Sequence, residues 1–150
     1  MPPSLSTGPG SLLLVEDNPG DVRLIEEAFK SAGFDTTFHA VPDGDAALEF
    51  LRERAATTSG PGIDLVLLDL NLPGMDGFEV LETIRDDPDL VSLPVLVLSS
   101  SAATDDIVRS YELAANAYLT KPTDPSEFAD IGRAVEAFWF NEAMLPPVLS

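Results

Sequence analysis

The chain has 150 residues, and 45% of them are hydrophobic. This length suits one domain with a sizeable core and is too short for a second, separate functional domain, so we expect a single domain. Its formal net charge of -18, from 26 acidic residues against 8 lysines and arginines, argues against binding to nucleic acid or to an anionic membrane. The sequence contains no cysteine, which excludes a disulfide framework, a thiolate nucleophile and a zinc-thiolate site and fits an intracellular protein.

The two ends of the chain differ in composition from the part between them. Residues 1–10 are rich in proline, serine and glycine and lack the basic and apolar regions of a signal peptide, so we expect a disordered leader. Residues 143–150 contain two adjacent prolines and indicate an extended tail, which leaves 11–142 as the domain. The apolar stretches are too short for a membrane span, so we expect a cytoplasmic protein without membrane insertion.

The acidic composition also suggests adaptation to salt. The chain has two lysines, Lys30 and Lys121. Such a composition resembles that of cytosolic proteins from halophilic organisms, in which molar salt shortens the Debye length and screens self-repulsion. The alternative is an acidic protein without that adaptation.

Five short apolar runs have the composition of strands in a buried parallel sheet. They are rich in leucine and valine, and strands buried on both faces read as continuous apolar runs. The first run ends at the acid pair Glu16 and Asp17, and the third ends at Asp69. The predicted strands are Ser11–Val15, Thr36–Val41, Ile63–Leu68, Leu93–Leu98 and Ala117–Leu119.

Helix signals follow each of these runs. Asn18 and Pro19 supply an N-cap and an N1 proline, and Asp43 caps the second helix. Asp76 with Glu79 three residues later forms a capping box. The remaining predicted features are a surface loop at 55–62, a helix at 104–114 and a last helix that opens at Asp124, Pro125 and Glu127.

Five strand-helix alternations predict an α/β fold, a doubly wound five-stranded parallel sheet of order 2-1-3-4-5 with helices on both faces, as in flavodoxin-like proteins. Strands one and three are neighbours in this order. The ligand crevice of such folds lies outside the carboxyl ends of the strands, where the winding reverses. Five residues follow strands at that edge and are expected to converge: Glu16, Asp17, Asp69, Ser99 and Lys121.

Carboxylates at the ends of two adjacent strands predict a metal site. Carboxylate and carbonyl oxygens are the hard ligands that Mg²⁺ prefers. We expect Asp17, Asp69 and the backbone carbonyl of Asn71 to be direct ligands. Glu16 is expected to act directly or through water.

The other two residues at this edge point to phosphoryl transfer. A carboxylate such as Asp69 attacks a phosphoryl donor only if the charge that develops on the phosphoryl oxygens is neutralised. Mg²⁺, the Lys121 ammonium and the Ser99 hydroxyl can neutralise this charge together. Acids after strands also serve as helix caps, but capping predicts neither the lysine nor the hydroxyl. His39 lies mid-strand among apolar neighbours, which favours a structural role.

Four motifs resemble those of the receiver domains of response regulators, the CheY-like superfamily. The motifs are LVEDNP at 14–19, LLDLNLPGMDG at 67–77, VLSSS at 97–101 and YLTKP at 118–122. The resemblance spans residues 11 to about 140. Two finer features, NPGDVR at 18–23 and FWF at 138–140, resemble the stand-alone regulators that are paired with phytochrome-type histidine kinases.

The resemblance implies that a sensor histidine kinase transfers a phosphoryl group to Asp69 with Mg²⁺ as cofactor, and that the domain catalyses only its own phosphorylation and dephosphorylation. It implies a two-state switch in which Ser99 rotates toward the phosphate and Tyr118 swings inward, although Tyr118 also fits an ordinary edge position. Asn71 and Ser101 correspond to the positions that control the hydrolytic water in related receivers. The implied partner is the kinase. We also expect an unknown downstream protein as a partner, and a homodimer is the further possibility.

Other functions stay open from the residues alone. An aspartyl phosphatase would carry a second acid two residues after its nucleophile, where this chain has Asn71. A flavodoxin-like cofactor module would carry a phosphate-binding loop in place of Glu16 and Asp17. A phosphate-independent scaffold would not need the acid, serine and lysine set. Three aromatic residues either form a contact surface for a homodimer or target or fill the core: Tyr111, Trp139 and Phe140.

Overall fold

The structure is a computed structural model that describes residues 10–33, 36–57 and 62–144, with side chains through residue 138. Residues 1–9 of the predicted leader and 145–150 of the predicted tail lie outside the described residues, as do the side chains of Trp139 and Phe140. The strands of the described part are β1 (Ser11–Val15), β2 (Thr37–Val41), β3 (Leu65–Leu68), β4 (Val95–Ser99) and β5 (Ala117–Thr120). Its α-helices are α1 (Pro19–Ser31), α2 (Gly44–Thr57), α3 (Gly77–Asp86), α4 (Thr104–Glu112) and α5 (Ala129–Met144).

The strands form one parallel sheet of order β2-β1-β3-β4-β5, which confirms the predicted fold. The apolar runs have the side chains for burial on both faces, and a helix follows each strand because parallel neighbours need a crossover connection. The register pairs Leu12 with Leu65 and Val15 with Leu68. The residues that follow β1 and β3 therefore emerge side by side at the point where the winding reverses.

The two faces of the sheet carry separate apolar cores because side chains alternate along each strand. Leu14 packs with Ile25 of α1 and Val135 of α5 on one face. Val66 packs with Leu81 of α3 on the other face, which α2 also covers. Among the described residues, no helix has both the length and the apolar character that crossing a bilayer requires.

Several element boundaries differ from the predicted ones, and strand β3 is Leu65–Leu68 rather than Ile63–Leu68. Strand β4 is Val95–Ser99 rather than Leu93–Leu98, since Pro94 has no N–H and contributes only its carbonyl, which accepts from Val66 N at 3.0 Å. Helix α2 continues through Thr57 into the predicted loop. A 3-10 turn, Pro125–Glu127, precedes α5, because the Asp124 carboxylate accepts hydrogen bonds from Ser126 and closes a short turn.

Candidate functional site

Backbone hydrogen bonds hold the carboxyl ends of four strands side by side. The N–H of Asp69 donates to the carbonyl of Val15 at 3.0 Å, which ties the end of β3 to the end of β1. The N–H of Lys121 donates to the carbonyl of Ser99 at 2.7 Å, which ties the end of β5 to the end of β4. The predicted site residues that follow these strands therefore meet at one edge of the sheet.

Three carboxylates meet at this edge. One oxygen each of Glu16, Asp17 and Asp69 lies within 4.8 Å of the other two. Glu16 and Asp69 are buried, with 3% and 4% of their surface exposed, whereas Asp17 is exposed to solvent. Clustered carboxylates at one open corner are the donor set that suits a hard divalent cation such as Mg²⁺, so these residues fit the predicted ion.

Asn71 lies beside the same cluster. Its backbone N–H donates to Oδ1 of Asp69 at 3.0 Å, so the loop after β3 folds back on the carboxylate that precedes it. Gly77, the first residue of α3, lies against the backbone at the end of β3. A Cβ atom at Gly77 would lie 2.5 Å from the carbonyl oxygen of Asp69 and 2.6 Å from Cα of Leu70. Only glycine lets α3 begin this close to the site.

The ammonium of Lys121 lies within the acidic cluster. Its Nζ atom is 2.9 Å from Oδ2 of Asp69 and 3.0 Å from Oδ2 of Asp21, and it also donates to Oε1 of Glu16. The Lys121 side chain is only 9% exposed. Burial by itself lowers the pKa of Lys121, but the hydrogen bonds to Asp69, Glu16 and Asp21 outweigh it and raise that pKa above its ordinary value. Lys121 is therefore charged wherever the protein is folded near neutral pH.

Glu16 is the acid whose ionisation the site changes most. Burial raises the pKa of its carboxyl to about 7, with a further contribution from neighbouring Asp69. The hydrogen bond from Lys121 and the one from the backbone N–H of Asn18, at 3.1 Å, act in the opposite direction. A nearby cation that displaces the proton would restore the full charge of Glu16.

The predicted switch residues are linked through the loop between β4 and α4. Ser99 is fully buried, and its Oγ accepts from the N–H of Ser101 at 3.1 Å. The Ser101 hydroxyl donates to Asp106 at 2.7 Å, and the Tyr118 hydroxyl donates to the carbonyl of Ser101 at 2.7 Å. Tyr118 therefore contacts this loop, and through Ser101 it is connected to Ser99.

The prediction from sequence missed Asp21. This residue lies in the first turn of α1, and its carboxylate bonds directly to the Lys121 ammonium. Its position one turn after the acid pair, inside the NPGDVR motif, was the available signal. Reasoning from strand ends does not reach it because Asp21 comes from a helix.

His39 lies in the middle of the edge strand β2. Its Nε2 is 3.1 Å from Nη2 of Arg54, and its ring centroid is 5.0 Å from that of Phe50. Because a guanidinium only donates, Nε2 accepts and the ring is neutral in this contact. Burial and the charge of Arg54 both lower the pKa of His39. These contacts agree with the structural role predicted for it.

A doubly wound parallel sheet with clustered acids and a buried lysine beyond its carboxyl edge defines a receiver-type α/β domain. The sequence model of the response regulator receiver domain matches residues 12–132, and the chain belongs to that family.

Individual relatives match over nearly the whole chain. Response regulator Rcp1 of Synechocystis sp. is 41% identical over 141 residues, which cover 94% of this chain and 96% of Rcp1. The structure of the phosphorylated cyanobacterial phytochrome response regulator RcpA is 44% identical, with a TM-score of 0.80 over 91% of this chain and 98% of RcpA. The Mn²⁺-bound form of Rcp1 has a TM-score of 0.78 over 92% of this chain and 99% of that chain. The predicted resemblance to receiver domains and phytochrome response regulators is confirmed.

Proposed function

We propose that this chain is a single-domain response regulator that accepts a phosphoryl group from a histidine kinase onto Asp69. The observation that carries the proposal is the buried contact between the Lys121 ammonium and the Asp69 carboxylate, which lie 2.9 Å apart inside an acidic cluster. Structural pairing alone would not require two further carboxylates at the same corner. The near full-length match to Rcp1 supports a regulator of the same size, with 11–142 as its receiver domain.

Mg²⁺ is the proposed cofactor. Asp17, Asp69 and the backbone carbonyl of Asn71 are the proposed direct ligands, and Glu16 is proposed to act directly or through water. When bound, the ion neutralises part of the charge on the phosphoryl oxygens. The Mn²⁺-bound structure of Rcp1 supports a divalent cation as the cofactor.

Asp69 is the proposed nucleophile. One carboxylate oxygen forms a bond to phosphorus while the phosphorus-nitrogen bond to the histidine of the kinase breaks, and the imidazole leaves with the electron pair and takes up a proton. The Lys121 ammonium exchanges its contact with Asp69 for one with a phosphoryl oxygen, and the Ser99 hydroxyl donates to another. These steps require only small movements because Lys121 is already at the site in the structure.

Phosphorylation is proposed to act as a switch. It can shift a two-state equilibrium only through contacts that differ between the states, and the contacts of Ser99 and Lys121 with the phosphate provide this difference. A rotation of Ser99 would disturb its bond to Ser101, whose carbonyl holds the Tyr118 hydroxyl. Tyr118 is therefore the proposed relay to the protein surface, and Asn71 and Ser101 are proposed to set the phosphate lifetime.

The proposed partners are proteins. Similarity to the cyanobacterial phytochrome response regulator RcpA supports a phytochrome-like histidine kinase as the phosphoryl donor. Tyr111 and Val108 are half-exposed on α4 and supply apolar surface for a downstream protein or a second copy of the chain. The charge of -18 disfavours nucleic acid and supports a halophilic, cytoplasmic protein without membrane insertion.

Incubation with acetyl phosphate and Mg²⁺ followed by intact mass measurement tests the proposal. The native protein should gain one phosphoryl group, and the Asp69→Asn variant should gain none. Asp45→Asn, an exposed change of the same kind on α2, serves as the matched control and should behave like the native protein. Equal phosphorylation of Asp69→Asn and native protein would refute the assignment.

A further inference from the structure

The three carboxylates that contact the Lys121 ammonium have different roles in the proposed reaction, on which this inference rests. Asp69 becomes the acyl phosphate, and its contact with Lys121 is replaced by a phosphoryl oxygen. Glu16 belongs to the proposed metal site and turns toward a cation there. Asp21, 3.0 Å from Nζ, is the one of the three that neither accepts phosphate nor belongs to the clustered metal ligands.

Asp21 is held in place by local structure. Its backbone N–H donates to the side chain of Asn18, the N-cap of α1, at 3.1 Å. Ile25 and Phe29 anchor the same helix in the core beneath the sheet. The Asp21 side chain is 26% exposed, so its carboxylate stays partly hydrated while it contacts the buried ammonium. This arrangement fixes the position of the carboxylate before any ligand arrives.

A lysine needs such a fixed partner because its ammonium sits on a flexible four-carbon stem. When Asp69 is phosphorylated and Glu16 turns to the cation, two of the three contacts of Lys121 change at once. We propose that Asp21 is a positioning residue that keeps the Lys121 ammonium directed at the phosphoryl group throughout the cycle. Without it, the ammonium has an open path to solvent on the side that Asp21 now occupies.

The two lysines of the chain allow a direct test by side-chain nitrogen NMR. Lys121 and Lys30 give two ammonium signals, and Lys30, an exposed residue near the end of α1, serves as the internal reference. Spectra are recorded for the metal-free protein and for its complex with Mg²⁺ and beryllofluoride, a mimic of the acyl phosphate. We expect the Lys121 ammonium protons to exchange slowly with water in both forms of the native protein.

Asp21→Ala should accelerate this exchange about tenfold in both forms, the loss expected for one charge-assisted hydrogen bond. Asp21→Asn keeps the shape of the side chain and should give a smaller increase, and Asp21→Glu should restore slow exchange in part. Glu27→Gln, which removes one exposed charge from the same helix, is the matched control and should leave the Lys121 signal unchanged.

The outcomes separate this inference from the proposed function. If the Lys121 ammonium protons of folded Asp21→Ala exchange with water within twofold of the native rate, Asp21 is not the positioning residue proposed here. If Asp21→Ala does not fold, the isosteric Asp21→Asn decides by the same criterion. Failure of the native protein to bind beryllofluoride or to accept phosphate would instead count against the proposed function. The metal-free spectra would still report whether Asp21 holds the ammonium.

Discussion

The Nζ atom of Lys121 lies 2.9 Å from Oδ2 of Asp69, so a buried cation is paired directly with the carboxylate at the end of β3. The same ammonium also contacts Glu16 and Asp21. It therefore compensates the charges of a site that would otherwise bury unpaired carboxylates, which is costly. The ammonium also lies next to the proposed cation site. Its positive charge therefore weakens Mg²⁺ binding, whereas the same charge assists phosphoryl transfer.

Removing Lys121 should change these two properties in opposite directions. In Lys121→Ala, phosphorylation by acetyl phosphate should slow by about 10² to 10³, the usual loss for one group that stabilises a developing oxyanion. Mg²⁺ affinity should rise by about tenfold, because a cation close to the metal site is gone. Lys30→Ala is the matched control. A Lys121→Ala variant that is phosphorylated at the native rate would contradict the role of the ammonium.

Mg²⁺ binding should depend on pH through Glu16. The pKa of this carboxyl is about 7 in the folded protein, so below that pH the cation must displace a proton. Affinity should rise by about tenfold per pH unit below the pKa and level off above it. Titrations between about pH 5.5 and 8.5 measure this dependence, and Glu16→Gln should flatten it. A flat native profile would be inconsistent with a protonated Glu16.

The stability of the metal-free protein should also depend on pH through Glu16, but it should fall as pH rises, whereas Mg²⁺ affinity should rise. Glu16 is an acid whose folded pKa, about 7, lies above its ordinary value of 4.5, so between these pH values the folded state holds a proton that the unfolded state releases. The free energy of unfolding contributed by Glu16 therefore falls as pH rises through this window, by on the order of 3 kcal/mol in total. Comparing native protein with Glu16→Gln by denaturant unfolding at each pH isolates this contribution from the other acids.

Gly77 should be intolerant of a side chain. A Cβ atom at position 77 would lie 2.5 Å from the carbonyl oxygen of Asp69 and 2.6 Å from Cα of Leu70. Because both of these are backbone atoms, the start of α3 or the loop after β3 must shift. Gly77→Ala should lower the free energy of unfolding by about 1 to 3 kcal/mol and slow phosphorylation of Asp69. Glu82→Ala, a change at an exposed position of the same helix, is the control. If Gly77→Ala keeps the native free energy of unfolding and the native rate of Asp69 phosphorylation, the close contact between Gly77 and the backbone of Asp69 is contradicted.

The acidic surface should make stability depend on salt. With 26 acids and 8 lysines and arginines, self-repulsion opposes the compact state until salt screens it. Raising KCl into the molar range should increase Tm, and a gain of about 2 kcal/mol corresponds to about 4 to 8 °C for a domain of this size. KCl is preferred to sulfate, which stabilises proteins by exclusion from their surface. A Tm indifferent to KCl would rule out salt adaptation.

The sheet and the strand-end residues were predictable because their signals are local. An apolar run that stops abruptly at Glu16 or Asp69 marks a buried strand and also marks the edge at which the polar residue emerges. The strand order then brings these residues together without further information. The capping box of Asp76 and Glu79 is confirmed for the same reason, since both partners lie within one turn.

Contacts between distant elements were not predictable in this way. The bond from Lys121 to Asp21 depends on the tilt of α1 over the sheet, and the bond from Tyr118 to Ser101 depends on how the loop after β4 folds. Neither follows from periodicity or spacing. The 3-10 turn before α5 was missed because Asp124 and Pro125 indicate a helix start equally well for either helix type.

Mapping the phosphorylated residue tests the central claim most directly. Borohydride reduces an aspartyl phosphate to homoserine, so peptide mass spectrometry of protein treated with acetyl phosphate and Mg²⁺ identifies the modified position. We predict homoserine at position 69 and no conversion when Mg²⁺ is chelated. Homoserine at another acid, or a phosphoryl group on a serine that borohydride leaves intact, would contradict the assignment of Asp69 as the phosphoacceptor.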